Sequence, residues 1–227
     1  MMSQAKVFRT DPSALGGSVR ARRLANRDLE YFLNAFLALG ALLFLAPLMI
    51  AVALAVHLHD GGPIFFAHRR IGRGGRHFPC LKFRSMAVDA EARLEKLLAS
   101  DPQAQREWAA NHKLQVDPRV TKVGDFLRRS SLDELPQLLN VLRGEMSLVG
   151  PRPVVHAEAV HYGRWFDSYC SVRPGITGLW QVSGRSDVCY RRRVALDVLY
   201  VRRKSLAMDM GILVRTVPAV LLHKGSC

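Results

Sequence analysis

The sequence predicts an α+β chain, mostly helical, in which a kinked membrane helix leads into a small polar domain with a short β-hairpin or sheet. Three observations predict this class. Residues 31–58, YFLNAFLALGALLFLAPLMIAVALAVHL, contain no Asp, Glu, Lys or Arg and exceed the about 20 apolar residues needed to cross a bilayer. A glycine-punctuated, β-favouring stretch follows at 61–83, and beyond it apolar residues recur mainly at helical spacing. The 227 residues fit one core with appendages, since single cores grow to roughly 200 residues before splitting. The expected divisions are a basic tail over 1–30, a re-entrant membrane hairpin over 31–60 and one polar domain over 61–227.

Residues 1–27 are polar and arginine-rich without apolar periodicity, which predicts a disordered tail near anionic headgroups. The membrane segment is flanked by basic residues on both sides: Lys6, Arg9, Arg20, Arg22, Arg23 and Arg27 before it, Arg69, Arg70, Arg73, Arg76, Lys82 and Arg84 after it. The positive-inside tendency asks both flanks to stay cytoplasmic, which a straight span cannot satisfy. Pro47, in the middle of the segment, removes a backbone hydrogen bond and bends a helix. A kinked helix entering and leaving by one face reconciles charge with hydropathy. A single span that tolerates the proline, followed by a translocated domain, remains open from the residues alone.

Gly61-Gly62-Pro63 breaks the chain after the membrane segment. Pro63–Ala67 and Phe78–Phe83 read as strands around the turn Gly72–Arg76. Met86, Ala90, Leu94, Leu97 and Leu98 predict an amphipathic helix. Asp101-Pro102 supplies a cap and a first-turn proline for a second helix to about Asn111. Leu135, Leu138, Leu139 and Leu142 stripe a third, and Val194–Lys204 forms another. Leu206–Leu222 is apolar but interrupted by Asp209, Arg215 and Pro218, which favours lying on protein or in the membrane interface.

The net charge of +14, from 33 Lys+Arg against 19 Asp+Glu, predicts attraction to nucleic acid, anionic lipid or phosphorylated ligands without choosing among them. Cys80, Cys170, Cys189 and Cys227 form no C-x-x-C pair, so neither a zinc site nor a disulfide framework is suggested. His57 and His59 have no third ligand nearby in sequence and read as interfacial.

Three segments could carry chemistry. Asp133-Glu134 stands at the start of the leucine-striped helix, where one carboxylate can attack phosphorus and the other hold a divalent cation. Ser131-x-x-Glu134 is equally a capping box, a purely structural reading. Arg152, between Pro151 and Pro153, is presented from a stiff loop suited to gripping a diphosphate, or is a solvated arginine on a turn. Arg173–Arg185 places glycines around Trp180; the glycines allow close backbone approach to a ligand and the indole can stack on a base, or the indole is core and the glycines are turns.

Together, Gly62-Pro63-Ile64-Phe65-Phe66, Lys82-Phe83-Arg84-Ser85-Met86, Asp117-Pro118-Arg119, Ser131–Gln137, Met146–Pro153 and Arg173–Arg185 resemble the bacterial sugar transferase family, the monotopic phosphoglycosyl transferases that start exopolysaccharide, O-antigen or glycan assembly. The resemblance favours the re-entrant hairpin over the span and makes 61–227 a catalytic domain with interfacial helices on the cytoplasmic face of the bacterial inner membrane. It implies transfer of a sugar 1-phosphate from a UDP-sugar to polyprenyl (undecaprenyl) phosphate with release of UMP. Asp133 is then the nucleophile, Glu134 a Mg2+ ligand, Arg128 and Arg152 phosphate contacts, and Lys82 and Arg84 weaker candidates of the same kind. Trp180, Gln181 and Arg185 are further substrate-binding candidates, Pro47 the membrane kink, and the partners UDP-sugar, polyprenyl phosphate and membrane lipids, with no nucleic acid; a homodimer is compatible with the sequence, which does not fix the oligomeric state. The sequence departs from the family in having Ala46-Pro47 where Ser-Pro is common, and a longer stretch between Met86 and Asp117. Two rivals stand beside this reading: a membrane-anchored basic binding protein without catalysis, and direct attack by polyprenyl phosphate without a covalent intermediate.

Overall fold

A computed structural model describes residues 12–111, 114, 116–184 and 189–221, with side chains described at 28–109, 114, 116–184 and 189–219. The chain opens with a 49-residue helix, α1 (Pro12–Asp60), with Pro47 inside it. Residues 12–27, expected as disordered tail, are therefore helical: the stretch is rich in the helix formers Ala, Leu and Arg, and Pro12 suits a first turn. Within it, 28–60 is long and apolar enough to cross a membrane.

One face of α1 packs on the domain. Ala38, with Ala41, Leu42 and Leu45, meets Phe78, Cys80, Leu138, Val141 and Met146; Val52 and Val56, with Met49 and Ala53, meet Phe83 and Leu127. The other face leaves Phe32, Phe36, Leu43, Phe44, Ile50, Leu54 and Leu58 exposed. Large apolar side chains on the uncovered face are what a helix partly immersed in lipid requires.

Gly61, at φ +68°, ends the helix, its N–H donating to the His57 carbonyl. The expected hairpin follows as β1 (Phe65–Ile71) and β2 (His77–Phe83), antiparallel with Phe65 opposite Phe83 and Arg70 opposite Phe78. Met86 does not begin a helix as expected; it bridges Val120, and α2 (Ala90–Ser100) starts four residues later with no buried residue. In α3 (Pro102–Asn111) the Asp101 carboxylate accepts from the N–H groups of Gln103 and Ala104, the cap read from sequence. Thr121 caps α4 (Lys122–Arg129) through Gly124 N–H.

Asp133 and Glu134 do not open the leucine helix. They lie on a 3-10 turn (Leu132–Glu134), and α5 is the short segment Gln137–Leu142 after Pro136. Pro136 cannot donate a hydrogen bond back into the preceding turn, which separates the two pieces. A second, parallel sheet pairs β3 (Ser147–Val149) with β4 (Gly175–Thr177). After the short α6 (Phe166–Cys170), α7 (Tyr190–Arg203) and α8 (Leu206–Leu221) complete the described chain; α8 runs through Pro218 and buries Ile212 against Val149 and Tyr200.

In the cluster of Tyr162, Tyr169, Val194 and Val198, Asp197 on α7 is buried and accepts from the Tyr162 hydroxyl at 2.7 Å. Burial pushes its carboxyl up to about 7, against the pull of that hydrogen bond. Because the native state keeps a proton that the unfolded chain releases near its ordinary value, stability should fall as pH rises from about 4 to about 7 and level off above, by on the order of 4 kcal/mol if this group acts alone. Thermal unfolding midpoints across that window should show the decline in the native chain and a much flatter profile in Asp197→Asn; equal profiles would remove Asp197 as its source.

Candidate active site

The cleft that gathers the sequence candidates is built from three pieces of chain. Lys82 projects from β2, a strand fixed by the Asn140 side chain, which accepts from Leu81 N–H at 3.0 Å and donates to the Pro79 carbonyl at 2.8 Å. Asp133 and Glu134 come from the 3-10 turn, entered through Ser131 at φ 58°, the one non-glycine in the left-handed region among the described residues. Such a conformation costs of order 1–3 kcal/mol and persists only where the surroundings over-determine it. The Ser131 side chain makes no capping bond, so the capping-box reading of Ser131-x-x-Glu134 is not realised.

Arg152 comes from the loop after β3, held by close passage of two backbones. Gly150 N–H donates to the Thr177 carbonyl and Gly175 N–H to the Pro151 carbonyl. A Cβ on Gly175 would lie 2.0 Å from Gly150 N, and one on Gly178 2.3 Å from Gly150 O. Gly175 and Gly178, for which the sequence left ligand approach and plain turns both open, therefore serve chain-to-chain contact.

Lys82 Nζ lies 2.8 Å from Glu134 Oε1 and 3.3 Å from Asp133 Oδ2, and Arg152 Nη1 lies 3.6 Å from the same Glu134 oxygen. Burial opposes charge on Glu134, yet Lys82, Arg152 and Arg70 together outweigh it and hold its carboxyl at about 2. Asp133 goes the other way: burial and the neighbouring Glu134 charge push it above the ordinary range, with Lys82 pulling back. The two neighbours are thus unlike, one a fixed anion and the other a buried carboxylate with a single long ion pair. Asp133 Oδ1 and Glu134 Oε2 have no hydrogen-bond partner among the described residues, and neither is sealed from solvent.

A shallow, solvent-open cleft runs beside this cluster, lined by Arg70, Cys80, Lys82, Glu134, Gln137, Arg152, Pro153 and Ile176. Among the described residues no three His, Cys, Asp or Glu side chains converge as a metal cage. The donor set still suits a hard cation of the Mg2+ kind, which binds through one or two carboxylates with waters and substrate phosphates completing its shell.

The remaining candidates separate. Arg128 donates from Nε to Ser85 Oγ at 2.8 Å and lies near enough to Asp133 to favour its charge. Arg84 turns to the end of α1, pairing with Asp60 and donating to the Val56 carbonyl at 3.4 Å. Trp180 is buried, with the Arg193 guanidinium 4.7 Å above its ring, so the core reading of the indole fits and an open stacking face does not. Gln181 donates to the carbonyl of Ile176, which lines the cleft, at 3.1 Å, and is not itself among the lining residues. Arg185 lies outside the described residues, and Pro47 lies within α1.

Sequence reasoning missed Arg70, Gln137 and Cys80 as cleft residues. The hairpin register could have found two of them: with Phe65 opposite Phe83, His68 and Arg70 share a face with Cys80 and Lys82.

The family described as Bacterial sugar transferase matches residues 25–223. The chain is 52% identical over 193 residues to the exopolysaccharide production protein ExoY of Sinorhizobium fredii, covering 85% of each. It is 48% identical over 206 residues to the undecaprenyl-phosphate galactose phosphotransferase of Salmonella typhimurium, covering 89% of this chain and 43% of that protein. It is 43% identical over 196 residues to the UDP-glucose:undecaprenyl-phosphate glucose-1-phosphate transferase of Xanthomonas campestris, covering 83% of this chain and 38% of that protein. A match over nearly all the chain, and 52% identity to a relative covered to 85%, mean that this chain belongs to the bacterial sugar transferase family.

Proposed function

We propose that the chain transfers a sugar 1-phosphate from a UDP-sugar to polyprenyl phosphate, initiating exopolysaccharide or glycan assembly at the cytoplasmic face of the inner membrane. The observation that carries this reading is the pair Asp133 and Glu134 sharing Lys82 beside a cleft that Glu134 lines together with Lys82, Arg70 and Arg152. The names of the relatives above support the substrate classes.

In the first step an Asp133 carboxylate oxygen attacks the β-phosphorus of the UDP-sugar. The bond from that phosphorus to the bridging oxygen breaks, UMP departs with the oxygen and its electron pair, and Asp133 carries the sugar phosphate as an acyl phosphate. An oxygen of polyprenyl phosphate then attacks the same phosphorus, and the bond to Asp133 breaks to restore the carboxylate. Two displacements replace one three-body encounter. The long single ion pair of Asp133 leaves an oxygen to attack, whereas Glu134, held by Lys82 and Arg152, suits charge stabilisation. Glu134 would hold Mg2+ through its outward oxygen, supplying positive charge against the diphosphate.

The re-entrant arrangement of α1 is supported by its polar ties. Near one end Glu30 pairs with Lys204, and the Tyr31 hydroxyl donates to the Leu142 carbonyl at 2.9 Å. At the other end Asp60 pairs with Arg84. Thirty helical residues rise about 45 Å, more than the roughly 30 Å hydrocarbon core, so a straight span would place these ties on opposite sides of the bilayer. One charged domain holding both ends favours a helix that dips in and returns.

Asp133→Asn should abolish UMP release while the chain still fractionates with membranes, and donor labelled on the β-phosphate should label the native protein without lipid acceptor. Turnover by Asp133→Asn would defeat the reading; turnover by the native chain without protein-bound label would instead indicate direct attack by the lipid. Chelation should stop activity and Mg2+ restore it, with Glu134→Gln requiring at least about tenfold more Mg2+; activity indifferent to chelator rules the metal out. Cysteines introduced at Asp28 and Gly61 should react with an impermeant reagent from the same side of sealed inverted vesicles, and opposite-side labelling would establish a straight span.

A further inference from the structure

We infer that Arg70, set in place by Glu158, forms with Arg152 a second phosphate seat in the cleft, beside the one at Lys82 and Asp133. The inference rests on the proposed transfer reaction and names a residue outside the motifs from which that reaction was read.

Arg70 donates from Nη1 to the Pro153 carbonyl at 3.2 Å and to Glu158 Oε2 at 3.3 Å. The same Glu158 oxygen accepts from Val155 N–H at 3.0 Å. Next to Arg70, Ile71 N–H donates to the Val154 carbonyl at 2.9 Å, and the Tyr169 hydroxyl donates to the Ile71 carbonyl. The end of β1 is thus stapled to the loop bearing Arg152, with Glu158 as the positioning residue that fixes both the guanidinium and the loop.

The staple employs only one nitrogen of Arg70. Nε and Nη2 have no hydrogen-bond partner among the described residues and are not sealed from solvent, although the side chain is only 18% exposed. Burial, and then the neighbouring Arg152 guanidinium, disfavour the charged form of Arg70, with Glu158 opposing them. Two guanidinium groups brought together in a cleft repel one another, and a bound polyanion relieves that repulsion. Their planar donor edges match the oxygens of phosphate. Lys82 stands on Asp133, where the phosphorus under attack must sit; Arg70 and Arg152 lie along the cleft and suit a neighbouring phosphate. That phosphate belongs either to the nucleotide, as the second phosphate of UDP-sugar and then of departing UMP, or to the polyprenyl phosphate acceptor.

The test uses the full chain in nanodiscs and needs no turnover for its first arm. UDP binding is measured in the Asp133→Asn background with Arg70 native, Arg70→Lys or Arg70→Met, and with Glu158→Gln. If the seat takes the nucleotide, Arg70→Met weakens UDP at least about tenfold, as loss of a charged hydrogen bond does, with Arg70→Lys and Glu158→Gln in between. In the native background the same variants then raise the KM for UDP-sugar more than they change kcat. If the seat takes the acceptor, UDP affinity and donor-only labelling hold while the KM for polyprenyl phosphate rises. Because Arg70→Lys keeps the charge, its intermediate value separates phosphate binding from misfolding. Unchanged UDP affinity together with unchanged KM for both substrates in Arg70→Met would overturn the proposal, and would do so whether or not Asp133 proves to be the nucleophile.

Discussion

The site depends on one electrostatic constraint: two adjacent carboxylates cannot both stay charged in a largely buried turn unless a cation stands between them. Lys82 is that cation, 2.8 Å from Glu134 and 3.3 Å from Asp133. Its position is set by β2, whose register is fixed on one side by β1 and on the other by the Asn140 side chain. Asn140 belongs to α5, which directly follows the turn carrying the two acids. Strand, turn and helix therefore locate the cation and the anions relative to one another, and the left-handed backbone at Ser131 is tolerated because so much else holds the turn in place.

The long apolar helix α1 is part of this construction rather than an appendage tied to a finished domain. Phe78 and Cys80 of β2 and Leu138 and Val141 of α5 pack on Ala38, while Phe83 packs on Val52 and Val56. Asn34, a polar residue inside the apolar segment, accepts from Ser147 Oγ at 3.0 Å and from Leu148 N–H at 2.8 Å. An amide packed among apolar side chains is costly unless satisfied, so the β3 backbone and Asn34 solve a shared problem. The same helix, long and apolar enough to cross a membrane, thus supports both the strand carrying Lys82 and the strand leading to Arg152.

The third support is the passage of two glycine-bearing segments past one another. Because Gly150, Gly175 and Gly178 admit no Cβ, the loop Pro151-Arg152-Pro153 is pinned against β4 and its guanidinium stands near Glu134. From the opposite side Arg70 and Glu158 grip the same loop. In the proposed reaction this rigidity would have a chemical use, since a guanidinium held before phosphate arrives spends less of the binding energy on being ordered.

Local signals in the sequence were sufficient for the apolar segment, the hairpin with its glycine turn and the Asp101 cap, because each is written in consecutive residues or short spacings; Asp133, Glu134 and Arg152 stood out as candidates, and Lys82 entered only through the family resemblance. The sequence left open whether Ser131-x-x-Glu134 is a cap or a chemical pair, and whether the glycines around Trp180 meet a ligand or a backbone. Those choices turn on groups distant along the chain: Lys82 lies 51 residues before Asp133, and Gly150 meets Gly175 only through a parallel sheet that no local pattern announces. Arg84 and Arg70 show the same division, being similar basic residues in one flank that the hairpin sends to different places, one to the end of α1 and one into the cleft. Composition and spacing determined which chemistry the chain could hold; tertiary structure decided which side chains share it, because partners in a buried charge cluster are chosen by proximity in space.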